Sequence, residues 1–308
     1  MLNTVWEDVK QQYYSGSVIT RLILINLAFF LFFRLLWLGM FLFQGQAAQS
    51  NIFDFLYWFS MSSDWFKVIT RPWTFITSMF LHFEVGHFLW NMLYLYWFGK
   101  ILSELVGKQR ILGIYILSGL AGALAYFTFA NIFPGTLGAY ALGASAAIMG
   151  IILAAATTAP NYQMNLMFIG NVKLMYVALF VVGLDLISLP TMSNTGGHIA
   201  HLGGAAMGFF IARQIQNGTD WTEWFNNIFD KIVGWFESVF TRRPKPKVVY
   251  RNPNKPNKPK QKSGNNGSPS NNRQAKIDAI LDKIKQEGGY NNLTAEEKEF
   301  LFRASKDE

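Results

Sequence analysis

Six stretches of this sequence approach the length and apolarity of a bilayer crossing, and that pattern limits its possible folds more than any other feature. They lie at roughly 18–43, 83–103, 110–130, 141–159, 172–189 and 196–213. A helix needs about 20 mostly apolar residues to cross the hydrocarbon core. The fourth and sixth stretches are rich in Gly and Ala, which lets helix backbones approach closely. Between the first and second runs an aromatic segment, 44–82, is too broken by polar residues to span and reads as a partly embedded interfacial loop. The first run is too long for a signal-peptide core and has no small-residue cleavage site, so it reads as a retained membrane helix. The expected class is all-α: a polytopic membrane protein.

Charge placement sharpens the picture. The net charge of +8 suggests a nucleic-acid binder, but eleven Lys or Arg fall within residues 241–276, which hold no Asp or Glu. A basic segment just past a membrane domain is more simply an anchor to anionic lipid, and no nucleic acid is expected. With the N-terminus inside, Lys10, Lys100, Lys108, Arg110, Lys173, Arg213 and the basic tail share one side, leaving Lys67 and Arg71 opposite. Both termini are therefore expected to be cytoplasmic, in a prokaryotic inner or plasma membrane. Cysteine is absent, which excludes disulfides, Cys-bound zinc and thiol catalysis.

The expected organisation is a membrane domain over 1–217, an amphipathic interfacial helix over 218–240, a basic disordered linker over 241–273 and a small cytoplasmic hairpin over 274–308. In the second of these, Trp221, Trp224, Phe225, Ile228 and Ile232 recur at helical spacing. The linker is too rich in Pro, Asn, Lys and Ser to bury a core. Two short helices, near 274–287 and 295–306, follow it, and Thr294 with Glu297 forms a capping box that opens the second.

The chemistry concentrates at one depth. The four histidines form two pairs, His82 with His87 before and within the second stretch, and His198 with His201 in the sixth. Ionisable groups at membrane depth are expensive and mark function. Ser145 lies at the start of the fourth stretch among Gly143, Ala144, Ala146 and Ala147, so its hydroxyl is uncrowded. His201 is followed by Gly204 and Gly208 on one helix face. Two such small-residue faces, packed together, would bring hydroxyl and imidazole to hydrogen-bond distance, as an activated nucleophile requires. The glycines select His201 over His198, which is placed nearer the water. His87 and Asn91, four apart on one face, can both donate to an oxyanion; His82 lies off that face and reads as pinning the preceding loop. Arg34 and Asp185 read as pairing with partners or facing a polar cavity. Orientation of His201 by Asp185 is the less favoured alternative, because the fifth helix reads as peripheral.

These motifs resemble those of the rhomboid intramembrane serine proteases. Residues 82–91 (HFEVGHFLWN) match H-x4-H-x3-N, residues 143–146 (GASA) resemble G-x-S-x, and residues 200–208 (AHLGGAAMG) match A-H-x-x-G-x-x-x-G. The resemblance covers about 17–213 and implies a six-helix rhomboid-like bundle. It further implies Ser145 as nucleophile and His201 as general base, acting as a dyad without a carboxylate. His87 and Asn91 would stabilise the oxyanion, with His82, Gly143 and His198 supporting the site. No cofactor and no metal is implied. The partners would be transmembrane protein substrates, cleaved through an acyl-enzyme. Two departures stand out: Ala146 follows the serine where many members have Gly, and the first-loop Trp-Arg pair is displaced to Arg71 and Trp73. A metalloprotease would need H-E-x-x-H, which HFEVGH does not supply. A non-catalytic rhomboid-like binding or quality-control factor is the alternative function.

Overall fold

The computed structural model describes residues 16–166, 170–191, 194–240, 269–286 and 293–304. The chain divides into two compact units, Met1–Arg243 and Pro244–Glu308.

In the first unit, six apolar helices lie where the six stretches were expected: α1 (Val18–Gln44), then α5 (Val85–Val106), α6 (Ile111–Ile132), α7 (Ser145–Thr158), α8 (Leu174–Ser188) and α9 (Thr195–Gln216). Between α1 and α5 the aromatic segment folds into α2 (Ala48–Leu56), the short strand β1 (Met61–Ser62), α3 (Trp65–Thr70) and α4 (Thr74–Thr77). Two small antiparallel pairs correct the all-α expectation to mostly helical. β1 pairs with β2 (Tyr140–Ala141), and β3 (Gln163–Leu166) pairs with β4 (Gly170–Lys173) between α7 and α8.

The fourth apolar stretch is shorter as a helix than its sequence suggested. Its first residues are drawn into the β2 pairing, and Gly143 turns the chain with φ +125° just before α7 begins. At about 1.5 Å per residue, the 14 residues of α7 fall short of the roughly 30 Å hydrocarbon core. Two segments, Val18–Leu56 and Lys108–Ile132, contain helices long and apolar enough to cross a membrane by length and composition.

The helices pack closely where glycine permits. A Cβ on Gly204 of α9 would strike the Ala146 carbonyl of α7, and one on Gly208 would strike that of Gly150. A Cβ on Gly203 would run into Ala121 and Ala125 of α6. These glycines bring α9 against α7 and α6 at backbone distance, the approach that small residues allow. Around this centre, Leu95, Leu102, Ile114, Tyr115, Ile151 and Ile211 are buried in one continuous apolar cluster.

The aromatic loop is anchored in spite of its displaced Trp-Arg pair. The Arg71 guanidinium lies 3.7 Å from the centre of the Trp58 ring, and Trp73 Nε1 donates to the Trp58 carbonyl at 3.0 Å. Tyr57 stacks on Tyr140 with centroids 4.0 Å apart, and Lys67 donates to the Tyr140 hydroxyl at 2.8 Å. Arg34 sits among Phe30, Trp37 and Phe83, within 6 Å of each ring centre, a separation at which cation–π attraction operates.

Helix α10 (Trp221–Phe240) follows, as expected for the amphipathic segment. Asp220 accepts from the Thr222 N–H at 2.9 Å and pairs with Arg110 at 2.5 Å, which fixes the start of α10 against that of α6. Trp221, Trp224, Ile228 and Ile232 remain exposed along the helix.

In the second unit, α11 (Pro269–Gln286) begins ahead of the expected boundary, and α12 (Ala295–Ala304) follows. The capping box is present: Glu297 accepts from the Thr294 N–H at 2.8 Å, and the Glu297 N–H donates to the Thr294 hydroxyl at 3.3 Å. Most of the expected linker, 241–268, lies outside the described residues.

Candidate active site

Three helices begin at one end of the first unit, and each contributes a site residue from its first two turns. α5 supplies His87 and Asn91, α7 supplies Ser145, and α9 supplies His198 and His201. Helix N-termini carry unpaired N–H groups and positive partial charge. Ser145 opens α7, whose N-cap, Ala144, makes no side-chain capping bond. The first-turn amides of α7 thus flank the serine hydroxyl without a capping side chain.

The central contact is between α7 and α9. His201 Nε2 lies 2.7 Å from Ser145 Oγ. The small-residue packing around Gly204 produces it, because His201 stands one turn before Gly204 and Ser145 immediately before Ala146.

His87 approaches from α5. A Cβ placed on Gly143 would lie 3.1 Å from His87 Nε2 and 3.7 Å from Ser145 Oγ, so the space left by glycine there borders both groups. Gly143 is required twice over, by this closeness and by its positive φ. Its N–H donates to the Ser78 carbonyl at 2.9 Å, which holds the turn before the serine. Asn91 spends one amide hydrogen on the His87 carbonyl at 2.8 Å and keeps another to donate. His82 is fully buried, and its Nε2 accepts the Ala144 N–H at 3.4 Å. It was expected to pin the loop before α5; its contact is instead with the turn that leads into Ser145.

The structure differs from the sequence expectation over Asp185. This residue lies in the last turn of α8, and its Oδ1 sits 2.9 Å from His201 Nδ1 and 2.7 Å from His198 Nδ1. The helix is peripheral, but residues 174, 178 and 185 share its inward face and are its buried positions. A signal was available: Asp185 is a lone charge in an apolar run, at the end of the helix nearest the two histidines. His198 was expected nearer water than His201. Their side chains are equally exposed, at 19% and 18%.

His87, Asn91, Ser145 and His201 line one cavity of about 710 Å³, together with Trp90 and Tyr94 of α5, Ile148 and Ile152 of α7, Val181 of α8 and Phe53 of α2. Its lining mixes these polar groups with apolar side chains, which suits an apolar chain that offers its backbone to the polar groups. Among the described residues, Asp185, His198 and His201 are the group whose donor atoms lie close enough, within 4.8 Å, to hold a metal ion. Both imidazoles direct Nδ1 at the carboxylate, so a cation there would have to replace both of these contacts.

Residues 70–216 match the family model for the rhomboid domain. Residues 70–216 therefore form a rhomboid domain. Residues 268–307, which contain the hairpin, match a family of unknown function, DUF6576. Among relatives, the chain is 29% identical over 225 residues to RHOMBOID-like protein 12, mitochondrial, of Arabidopsis thaliana, covering 69% of this chain and 62% of that one. It is 31% identical over 146 residues to Presenilin-associated rhomboid-like protein A, mitochondrial, of Danio rerio (45% and 36% covered). It is 28% identical over 141 residues to Rhomboid protease GluP of Bacillus subtilis (46% and 25% covered). The matched stretches thus span between a quarter and about six tenths of these relatives' lengths. The expected prokaryotic inner or plasma membrane with cytoplasmic termini is corrected by these comparisons. The first relatives are named as mitochondrial, and that finding overturns the prokaryotic expectation. Loop charge ranks the two sides of a bilayer and carries no information on which bilayer it is.

Proposed function

We propose that this chain is an intramembrane serine endopeptidase that cleaves transmembrane segments of other membrane proteins. The observation that carries the proposal is the 2.7 Å contact between Ser145 Oγ and His201 Nε2 at the uncapped start of α7. The six apolar helices would span the bilayer as a bundle, with the short α7 buried among longer neighbours.

The chemistry follows from the geometry. As Ser145 Oγ attacks the scissile carbonyl carbon, its proton passes to His201 Nε2. The carbonyl oxygen becomes an oxyanion, for which His87, Asn91 and the first-turn amides of α7 are the available donors. Collapse breaks the C–N bond, and His201 returns the proton to the leaving amine. Water then attacks the acyl-enzyme, with His201 again acting as base. A substrate helix would come in from the lipid beside α8, because Val181 and the apolar faces of α5 and α7 line the same cavity. The basic tail would favour anionic lipid.

The test is cleavage of a reporter transmembrane substrate in liposomes by the full chain and by Ser145→Ala and His201→Ala. Loss of either member of a serine–histidine pair lowers turnover by roughly 10⁴-fold or more, which removes detectable product. Undiminished cleavage by Ser145→Ala would sink the proposal. Capture of the substrate without cleavage by the unmodified chain would favour the non-catalytic binding function.

A further inference from the structure

We infer that Asp185 is a positioning residue that sets the tautomer of His201, making the site a Ser145–His201–Asp185 triad distributed over three helices. The inference rests on the serine-protease function proposed above. A histidine that receives a proton from serine at Nε2 must carry its own hydrogen on Nδ1, and neutral imidazole has two tautomers. An ionised carboxylate has only acceptors, so a carboxylate oxygen 2.9 Å from His201 Nδ1 selects the Nδ1–H form. That leaves the Nε2 lone pair facing Ser145 Oγ at 2.7 Å. When the proton reaches Nε2, the resulting imidazolium lies against the same carboxylate.

His198 shares this oxygen at 2.7 Å. Two N–H donors on one oxygen hold the carboxylate in place, since moving it would break both bonds. Side-chain exposure of Asp185 is 9%, against 18% for His201, so the anchor is better buried than the group it orients.

The seat of this carboxylate gives it a second consequence. On α8, Tyr176, Leu179, Phe180, Leu186 and Ile187 are more than half exposed, while Leu174, Ala178 and Asp185 are buried and Val177, Val181 and Val182 pack part-buried against the core. The polar tether to α9 adds to this packing in seating the end of α8. Displacement of that end would withdraw the carboxylate from His201 while Ser145 and His201 stayed in place on α7 and α9.

The experiment uses the full chain in detergent with a fluorophosphonate probe, which reports activation of Ser145 without any peptide substrate. Ser145→Ala gives the background. Replacing Asp185 by the isosteric Asn allows its amide to donate to Nδ1 and so favours the wrong tautomer. In a serine-protease triad this exchange costs roughly 10⁴-fold. The expected result for Asp185→Asn is a fall in the maximal labelling rate of about 10²-fold or more, with probe affinity unchanged. Asp185→Glu, which restores a carboxylate, should regain at least about tenfold of that loss. Labelling of Asp185→Asn at the unmodified rate, with Ser145→Ala blank, would overturn the triad and leave the protease proposal standing. No Ser145-dependent labelling of the unmodified chain would overturn the protease proposal itself. Equal losses in the Asn and Glu variants, with lowered thermal midpoints in both, would assign Asp185 to holding α8 and overturn the orienting role.

Discussion

Replacing Gly204 by alanine should disable the site without touching a polar group. The added Cβ would fall on the Ala146 carbonyl, 2.7 Å from its carbon and 3.1 Å from the Ala146 Cα. Non-bonded carbon atoms rest at about 3.5–4.0 Å, so α9 and α7 must part by roughly 1 Å at this level. Gly204 stands one turn beyond His201, and Ala146 follows Ser145 directly. The separation therefore passes into the 2.7 Å contact between Ser145 Oγ and His201 Nε2, taking it to about 3.7 Å, outside hydrogen-bond range. A misplacement of about 1 Å at reacting groups costs on the order of 10²-fold in rate. Overpacking of this kind destabilises by about 1–3 kcal/mol, so most of the protein should remain folded. The assay is the maximal rate of fluorophosphonate labelling at Ser145, read beside the thermal midpoint. Gly183→Ala is the control, since an added Cβ there meets nothing within 4 Å. Labelling of Gly204→Ala within twofold of the unmodified rate would refute the claim that backbone contact between α7 and α9 sets the site.

Cleavage of a reporter substrate should be insensitive to EDTA, because the proposed steps use only side-chain and backbone groups; loss of activity that zinc restores would contradict them. Asp220→Ala should destabilise the first unit by about 1–2 kcal/mol in thermal unfolding, the sum expected for a helix cap and a partly exposed ion pair. At this residue burial pushes the carboxyl pKa up, but the hydrogen bonds from Thr222 and Arg110 outweigh it and hold the group below its ordinary value. The hairpin of the second unit should loosen in acid. Glu297 is held below its ordinary pKa by the Thr294 N–H first and by Lys283 second. A carboxyl with a depressed folded pKa contributes stability above the unfolded value, and that stability is lost as pH falls through the folded one. Amide exchange of residues 293–304 should therefore quicken once the pH drops below the ordinary carboxylate range, and Glu297→Gln should remove that dependence.

What the sequence disclosed and what it hid have physical causes. Ser145, His201, His87 and Asn91 were legible because each sits at a fixed helical offset from small residues or from another polar group, and helical offsets survive folding. The pairing of α7 with α9 followed from Gly204 and Gly208, since glycine on a helix face has few uses other than close approach. The start of α7 was misplaced because Tyr140 and Ala141 are as apolar as the helix they precede. Their diversion into a strand depends on Met61 and Ser62, nearly eighty positions earlier. Asp185 was underweighted because its partners are on another helix, and the path between them, including residues 192 and 193, has no regular spacing to read. The depth rule that gathered the four histidines applied equally to this aspartate. It reaches them because Leu174, Ala178 and Asp185 lie on one face of α8, and that face turns inward.

The position of Ser145 then has a cost and a use that are the same fact. A helix start normally recruits a side-chain oxygen for its first amides, worth about 1 kcal/mol, and α7 has Ala144 at that place. Ser145 opens the helix, and its hydroxyl is engaged with His201 instead of the backbone. In the proposed reaction, a cap that satisfied the first-turn amides would compete for the donors that a carbonyl oxygen needs as it becomes negative. Gly143 keeps the space beside Ser145 open by having no side chain, and His82 steadies the turn by accepting the Ala144 N–H from behind. The missing stabilisation is offset by the packing of α7 among α5, α6 and α9, whose apolar contacts do not depend on the cap.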